Sequence, residues 1–299
     1  MTNTLHRCGD AESFHDDYLV FAIPSRGKND QGCVPKLKKF LEMALQFHPV
    51  NLGDAVHGGA LRPCASLTPA AHWKRDSRPD FRAVIEGVDT PTTVAAVFDN
   101  RVAAEDFLKA LKAADLGLCV NVSTSIDGAE QCCHAAGLPR HSIGYSLGFE
   151  GQTEKLPEAQ VLMLTTMCGH SMVSSSLAKK MIDWVKEGRR TPEQAATYLQ
   201  RFCSCGVFNP ARARRILAGD PTGAEDPRGS HWAGQGPISA NLGPLVPGGA
   251  GPWPVQAGET ACPTRAVNAV ERVKLAPMGQ GPAPRHSPTA GGSAPENPD

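Results

Sequence analysis

Between Tyr18 and Leu217, short apolar runs of β-forming residues alternate with stretches of helical period, and this alternation most constrains the fold. Tyr18 to Ile23 reads as a strand, followed by the loop Pro24 to Cys33 and a helix from about Pro35 to Gln46, with proline suited to the first helical turn. Thr93 to Phe98 is a second strand, and Val102 to Ala114 a helix with Phe107, Leu108 and Leu111 near one face. Leu116 to Val122 is a third, followed by a helix from Asp127 to Ala136 that Gly137 closes. His141 to Leu147 and Gln160 to Thr166 complete a set of about five strands. Strands separated by helices of ten to fifteen residues predict an α/β domain with a doubly wound, mostly parallel sheet.

From Ser171 onward the pattern is helical. Val173, Leu177, Met181, Trp184 and Val185 form an apolar stripe that would cover the sheet. Thr191-Pro192-Glu193-Gln194 is a capping box that opens a helix to about Phe202, and Asn209-Pro210 opens another. Residues 219–299 differ: about a third are Gly or Pro, a composition that predicts a disordered tail, with at most a short helix around Ala266 to Leu275. The expected plan is a flexible N-terminus at 1–17, an α/β domain at 18–218 and the tail. Residues 55–90, containing His57-Gly58-Gly59, Cys64 and His72-Trp73, show no period and read as a lid or a surface insertion.

Lys plus Arg equals Asp plus Glu at 30 each, so no net field would hold nucleic acid or an acidic membrane. The polar, acidic start lacks the pattern of a secretory signal, and no apolar run approaches the ~20 residues that span a bilayer. A cytoplasmic protein is expected, without nucleic-acid or membrane partners. In that compartment its ten cysteines read as reduced thiols or metal ligands.

The chemistry concentrates in Thr165-Thr166-Met167-Cys168-Gly169-His170-Ser171 and, further on, Phe202-Cys203-Ser204-Cys205-Gly206. Cys168 is expected where the fifth strand ends and a helix begins, a rim where ligands bind and a helix N-terminus favours thiolate. Cys203 and Cys205 precede the helix opened by Asn209. Three thiolates suit a soft metal: zinc with His170 as fourth ligand, or a 4Fe-4S iron-sulfur cluster with one open iron and His170 free for acid-base catalysis. The reading leans to the cluster. Cys33, on the loop after the first strand, is a candidate extra ligand; Cys119 reads as core, Cys132 and Cys133 diverge on a helix, and Cys8 and Cys262 lie in the chain ends.

That first loop also carries Arg26, Lys28 and Asn29, an arrangement that can hold a phosphate or carboxylate. Ser123 and Thr124 follow the third strand as further candidates for cofactor binding, with helix capping as the plain alternative. No GxGxxG, GxSxG, HExxH or Walker loop is present. Two functions follow: a metalloenzyme of lyase, hydratase or sulfur-transfer type acting on a small anionic substrate, or a non-catalytic sensor or assembly factor with structural zinc or no metal.

Overall fold

β1 (Tyr18–Ile23) explains the layering, because nearly all of its residues are buried although successive side chains point to opposite faces. Such a strand must lie inside a sheet covered on both sides. The computed structural model describes residues 6–62, 68, 70–71, 79–140, 142–146, 148–149, 151–219 and 238–244. Cys64, His72, Trp73, Cys262 and the helix expected at 266–275 lie outside the described residues. β1 pairs with β4 (Val94–Phe98) on one side and β5 (Cys119–Thr124) on the other, both antiparallel. β2 (Asn51–Asp54) pairs antiparallel with β4 and with the short β3 (Gly58–Gly59). β6 (Ser142–Tyr145) and β7 (Ile238–Pro244) extend the sheet beyond β5, giving the order β3-β2-β4-β1-β5-β7-β6. β7 lies within the Gly/Pro-rich stretch; apart from this strand and Gly219, that stretch is outside the described residues.

The sheet is therefore antiparallel, which corrects the expected doubly wound, mostly parallel arrangement. The helical connections are real, but each links strands that point the same way with one antiparallel strand between them. α1 (Val34–Leu45) joins β1 to β2 across β4, and α3 (Arg101–Ala114) joins β4 to β5 across β1. This is a split β-α-β plan. The misreading turns on β2, whose sequence Asn-Leu-Gly-Asp lacks the β-branched run that marks a strand.

Helices cover both faces. Tyr18, Val20, Ala22, Val94, Ala96 and Phe98 pack against α1, α3 and α4 (Ile126–Ala135). There Phe107 meets Phe40 at 5.1 Å and Phe98 at 5.3 Å between ring centroids. Leu19, Phe21, Ala95 and Val97 face the other way, onto α5 (Ala159–Thr165), α6 (Ser175–Lys186), α7 (Pro192–Gln200) and α8 (Pro210–Leu217). Each fully buried Val, Leu or Phe among them contributes about 1.5–3 kcal/mol. A further helix, α2 (Phe81–Gly87), is capped by the Asp80 side chain.

α5 is a second correction, since Gln160 to Thr166 was expected as the fifth strand. Val161 through Thr165 are all buried, and a short run buried all round has no visible period, so strand and helix look alike in sequence. Its Leu-Met-Leu content favours the helix. No helix among the described residues is long and apolar enough to cross a membrane.

Candidate metal centre

Cys168 sits in the turn that follows α5, six residues before Ser174 caps α6. It is neither at the rim of a parallel sheet nor at a helix N-terminus; the C-terminal end of α5 disfavours a thiolate there. Its anion must be held by specific donors. The thiols of Cys203 and Cys205 and the ring and backbone N–H of His170 supply them, and Cys168 is held well below the usual thiol range despite being buried. The partners move oppositely: bonding to Cys168 pushes Cys203 up, helped by Cys205 and by burial, and pushes Cys205 up to about 12. The anionic form is thus favoured at Cys168 over its two partners.

The ligand atoms of Cys168, His170 and Cys205 all lie within 4.8 Å of one another. Cys203 Sγ is 3.2 Å from Cys205 Sγ. His170 Nδ1 is buried with no hydrogen-bond partner, and one nitrogen of the ring lies within 4.8 Å of the Cys168 and Cys205 sulfurs. Soft sulfur donors beside an imidazole nitrogen fit a soft metal ion.

The Cys203-Ser204-Cys205-Gly206 turn, between α7 and α8, is pinned by backbone contact with the β2–β3 hairpin. Gly59 N–H donates to the Ser204 carbonyl at 3.0 Å. A Cβ on Gly206, whose φ is +71°, would lie 2.6 Å from Gly59 Cα and 2.8 Å from Gly53 Cα. Neither side tolerates a side chain here. Sequence reasoning missed this buttress; the signal was Gly58 and Gly59 in the segment without period, with Gly53 just before it.

It also missed the charge network beneath Cys168. Arg7 and Arg212 are fully buried and share the buried carboxylate of Asp17. Arg7 Nε donates to the Met167 carbonyl at 3.0 Å, and Cys168 lies close enough to stabilise its charge. Arg212 stacks on Phe14 at 3.8 Å and donates to the Cys8 carbonyl at 2.8 Å. Asn209 Nδ2 donates to Asp17 Oδ1 at 2.9 Å while Asn209 Oδ1 caps α8. Two guanidiniums against one carboxylate leave positive charge next to the thiols, which favours anionic sulfur. Residues 6–17 thus supply Arg7, Ser13, Phe14 and Asp17 to the interior.

The other candidate residues lie elsewhere. Arg26 and Lys28 are exposed on the turn after β1, while Asn29 braces that turn: its Oδ1 accepts from Ser25 N–H at 2.6 Å and its Nδ2 donates to Gly117 O at 2.7 Å. Ser123 pairs with Leu19 at the opposite end of β1, and it accepts from Arg7 through its carbonyl. Thr124 Oγ1 donates to Phe14 O at 3.3 Å. The two sets of polar residues therefore do not share a site. Cys33 belongs to the core on the other face of the sheet, as do Cys132 and Cys133. Cys119 is half-buried at the start of β5. Cys8 is buried on the metal-centre face, its backbone N–H donating to Thr166 Oγ1 at 2.8 Å.

Fold and site define an antiparallel α/β protein with a Cys/His group capable of binding a metal. No protein family, curated protein or solved structure matches the chain.

Proposed function

We propose that the chain binds one soft divalent ion, zinc foremost, through Cys168, Cys203 and Cys205 with His170 as the fourth ligand. The observation that carries this reading is the tight convergence of the donors: within 4.8 Å for Cys168, His170 and Cys205, and 3.2 Å between Cys203 and Cys205. Sulfurs around one tetrahedral zinc stand ~3.8 Å apart, whereas cysteines on a 4Fe-4S cluster ligate different irons and stand ~6–7 Å apart. The spacing favours the single ion over the cluster that the sequence alone suggests.

Four protein ligands close a tetrahedral site and leave no position for substrate. Of the two functions, this supports the non-catalytic one, a sensor or assembly factor, over lyase, hydratase or sulfur-transfer chemistry. Zinc would cross-link the turn after α5 to the turn before α8, which already rests on the β2–β3 hairpin. Cys168 is the ligand most ready to be anionic, the ion would displace the protons of Cys203 and Cys205 into solution, and Arg7 would balance the resulting negative charge.

The test is metal analysis and visible absorption of protein purified without oxygen. One colourless zinc per chain is expected, with loss of metal on Cys168→Ala, Cys203→Ala or Cys205→Ala and retention on Cys119→Ala. Brown protein with several irons per chain would replace the single ion with a cluster and reopen the catalytic reading.

A further inference from the structure

The geometry points to a redox release built into this site: a hydroperoxide joins Cys203 and Cys205 as a disulfide, and the metal leaves. The proposal rests on the metal reading above but concerns a different property, the closeness of two of its ligands. Their sulfurs are 3.2 Å apart, nearer than the ~3.8 Å that two ligands keep on one tetrahedral zinc. A disulfide bond of ~2.05 Å is about 1.2 Å away. Because Gly53, Gly58 and Gly59 hold the backbone of this turn, the approach must come from side-chain rotation rather than loop movement. Cys168 comes from a different segment, and its sulfur is placed only within 4.8 Å of Cys205.

Exposure sets the order of events. Cys205 is half-buried and is the thiol a small oxidant reaches, whereas Cys203 and Cys168 are only 2% and 1% exposed. The Cys205 thiolate attacks one peroxide oxygen; the O–O bond breaks, hydroxide leaves, and Cys205 becomes a sulfenic acid. Cys203 thiolate then attacks that sulfur, the S–O bond breaks, and a second hydroxide leaves as the S–S bond forms. Two thiolates have lost two electrons, the peroxide has gained them, and both hydroxides are neutralised by protons of the buffer. The ion keeps Cys168 and His170, two ligands of four, and dissociates.

The experiment treats zinc-loaded protein with equimolar hydrogen peroxide in the presence of a chromophoric zinc chelator. Expected is one zinc released per disulfide, with the tryptic peptide 202–212, which contains both cysteines, lighter by two hydrogens. A dithiol reductant should restore the peptide mass and the zinc binding. Cys203→Ser should stop at a sulfenic acid on Cys205, captured by a dimedone-type probe. Metal-free protein is treated in parallel: if no zinc is bound at all yet peptide 202–212 still loses two hydrogens, the metal reading fails and the thiol pair stands. A disulfide linking Cys168 to either residue, or an unmodified 202–212 peptide after zinc release, would overturn the proposal.

Discussion

Gly53→Ala is the sharpest probe of how the fold builds the metal centre. Gly53 lies in β2 with ordinary strand geometry, so alanine brings no backbone strain, only a methyl group. That methyl would stand 2.9 Å from both the Cys205 carbonyl carbon and Gly206 Cα, and it would overlap the Cys205 carbonyl oxygen. Ordinary contact begins at 3.4 Å and the carbonyl oxygen is nearer than either carbon, so the turn must retreat by well over ~0.5 Å. Metal-ligand distances hold to within about 0.2 Å, so a displacement of this size is incompatible with full ligation by Cys205. Overpacking costs about 1–3 kcal/mol, and at about 1.4 kcal/mol per tenfold this becomes a ~5- to 150-fold loss of metal affinity if the turn yields. Zinc affinity by chelator competition, with the melting temperature of metal-free protein alongside, measures the two destinations of that energy. Gly87→Ala is the control, because its Cβ would meet nothing and the position ends α2. Unchanged zinc affinity in Gly53→Ala would refute the idea that the hairpin positions Cys205.

Three further outcomes are expected. Asp17→Asn removes the carboxylate shared by two buried guanidiniums, and should cost about 3–5 kcal/mol in urea unfolding; a loss below 1 kcal/mol would mean that the network is solvated. Burial raises Cys8 from 9.0 to about 11 and Cys132 to about 12. Both are acids ionising more easily unfolded than folded, so their contribution is intact below pH 9, falls as pH rises through the folded values, and amounts to about 3 kcal/mol for Cys8. Metal-free Cys8→Ala should show a flatter alkaline decline in stability than the parent. Finally, Arg26→Ala with Lys28→Ala should leave the melting temperature unchanged because both are exposed, while weakening any binding of inorganic phosphate; equal phosphate binding by the double variant would remove this turn as an anion site.

Local signals carried most of the elements. Tyr18–Ile23 was legible as a strand because it is apolar on both faces, and the α7 and α8 starts because Thr191 and Asn209 cap them with their own side chains. These are short-range hydrogen-bonding and period effects, which a sequence contains in full. The thiol cluster was legible too, since Cys168-Gly-His170 and Cys203-Ser-Cys205 are rare combinations of soft ligands at short spacing. Strand direction was not, because a helical crossover looks the same whether its two strands become neighbours or admit an antiparallel strand between them. β2 was invisible for a related reason: Asn51 and Gly53 serve distant partners, the Phe208 carbonyl and the Cys205 turn, rather than β propensity. Arg7 and Asp17 read as ordinary charges of a polar N-terminus until folding brought them against Arg212, about two hundred residues away. Which sulfurs share one centre, which donors make Cys168 a thiolate, and which cysteines fall behind the sheet with Cys33 are questions of distance through space, and tertiary packing alone decides them.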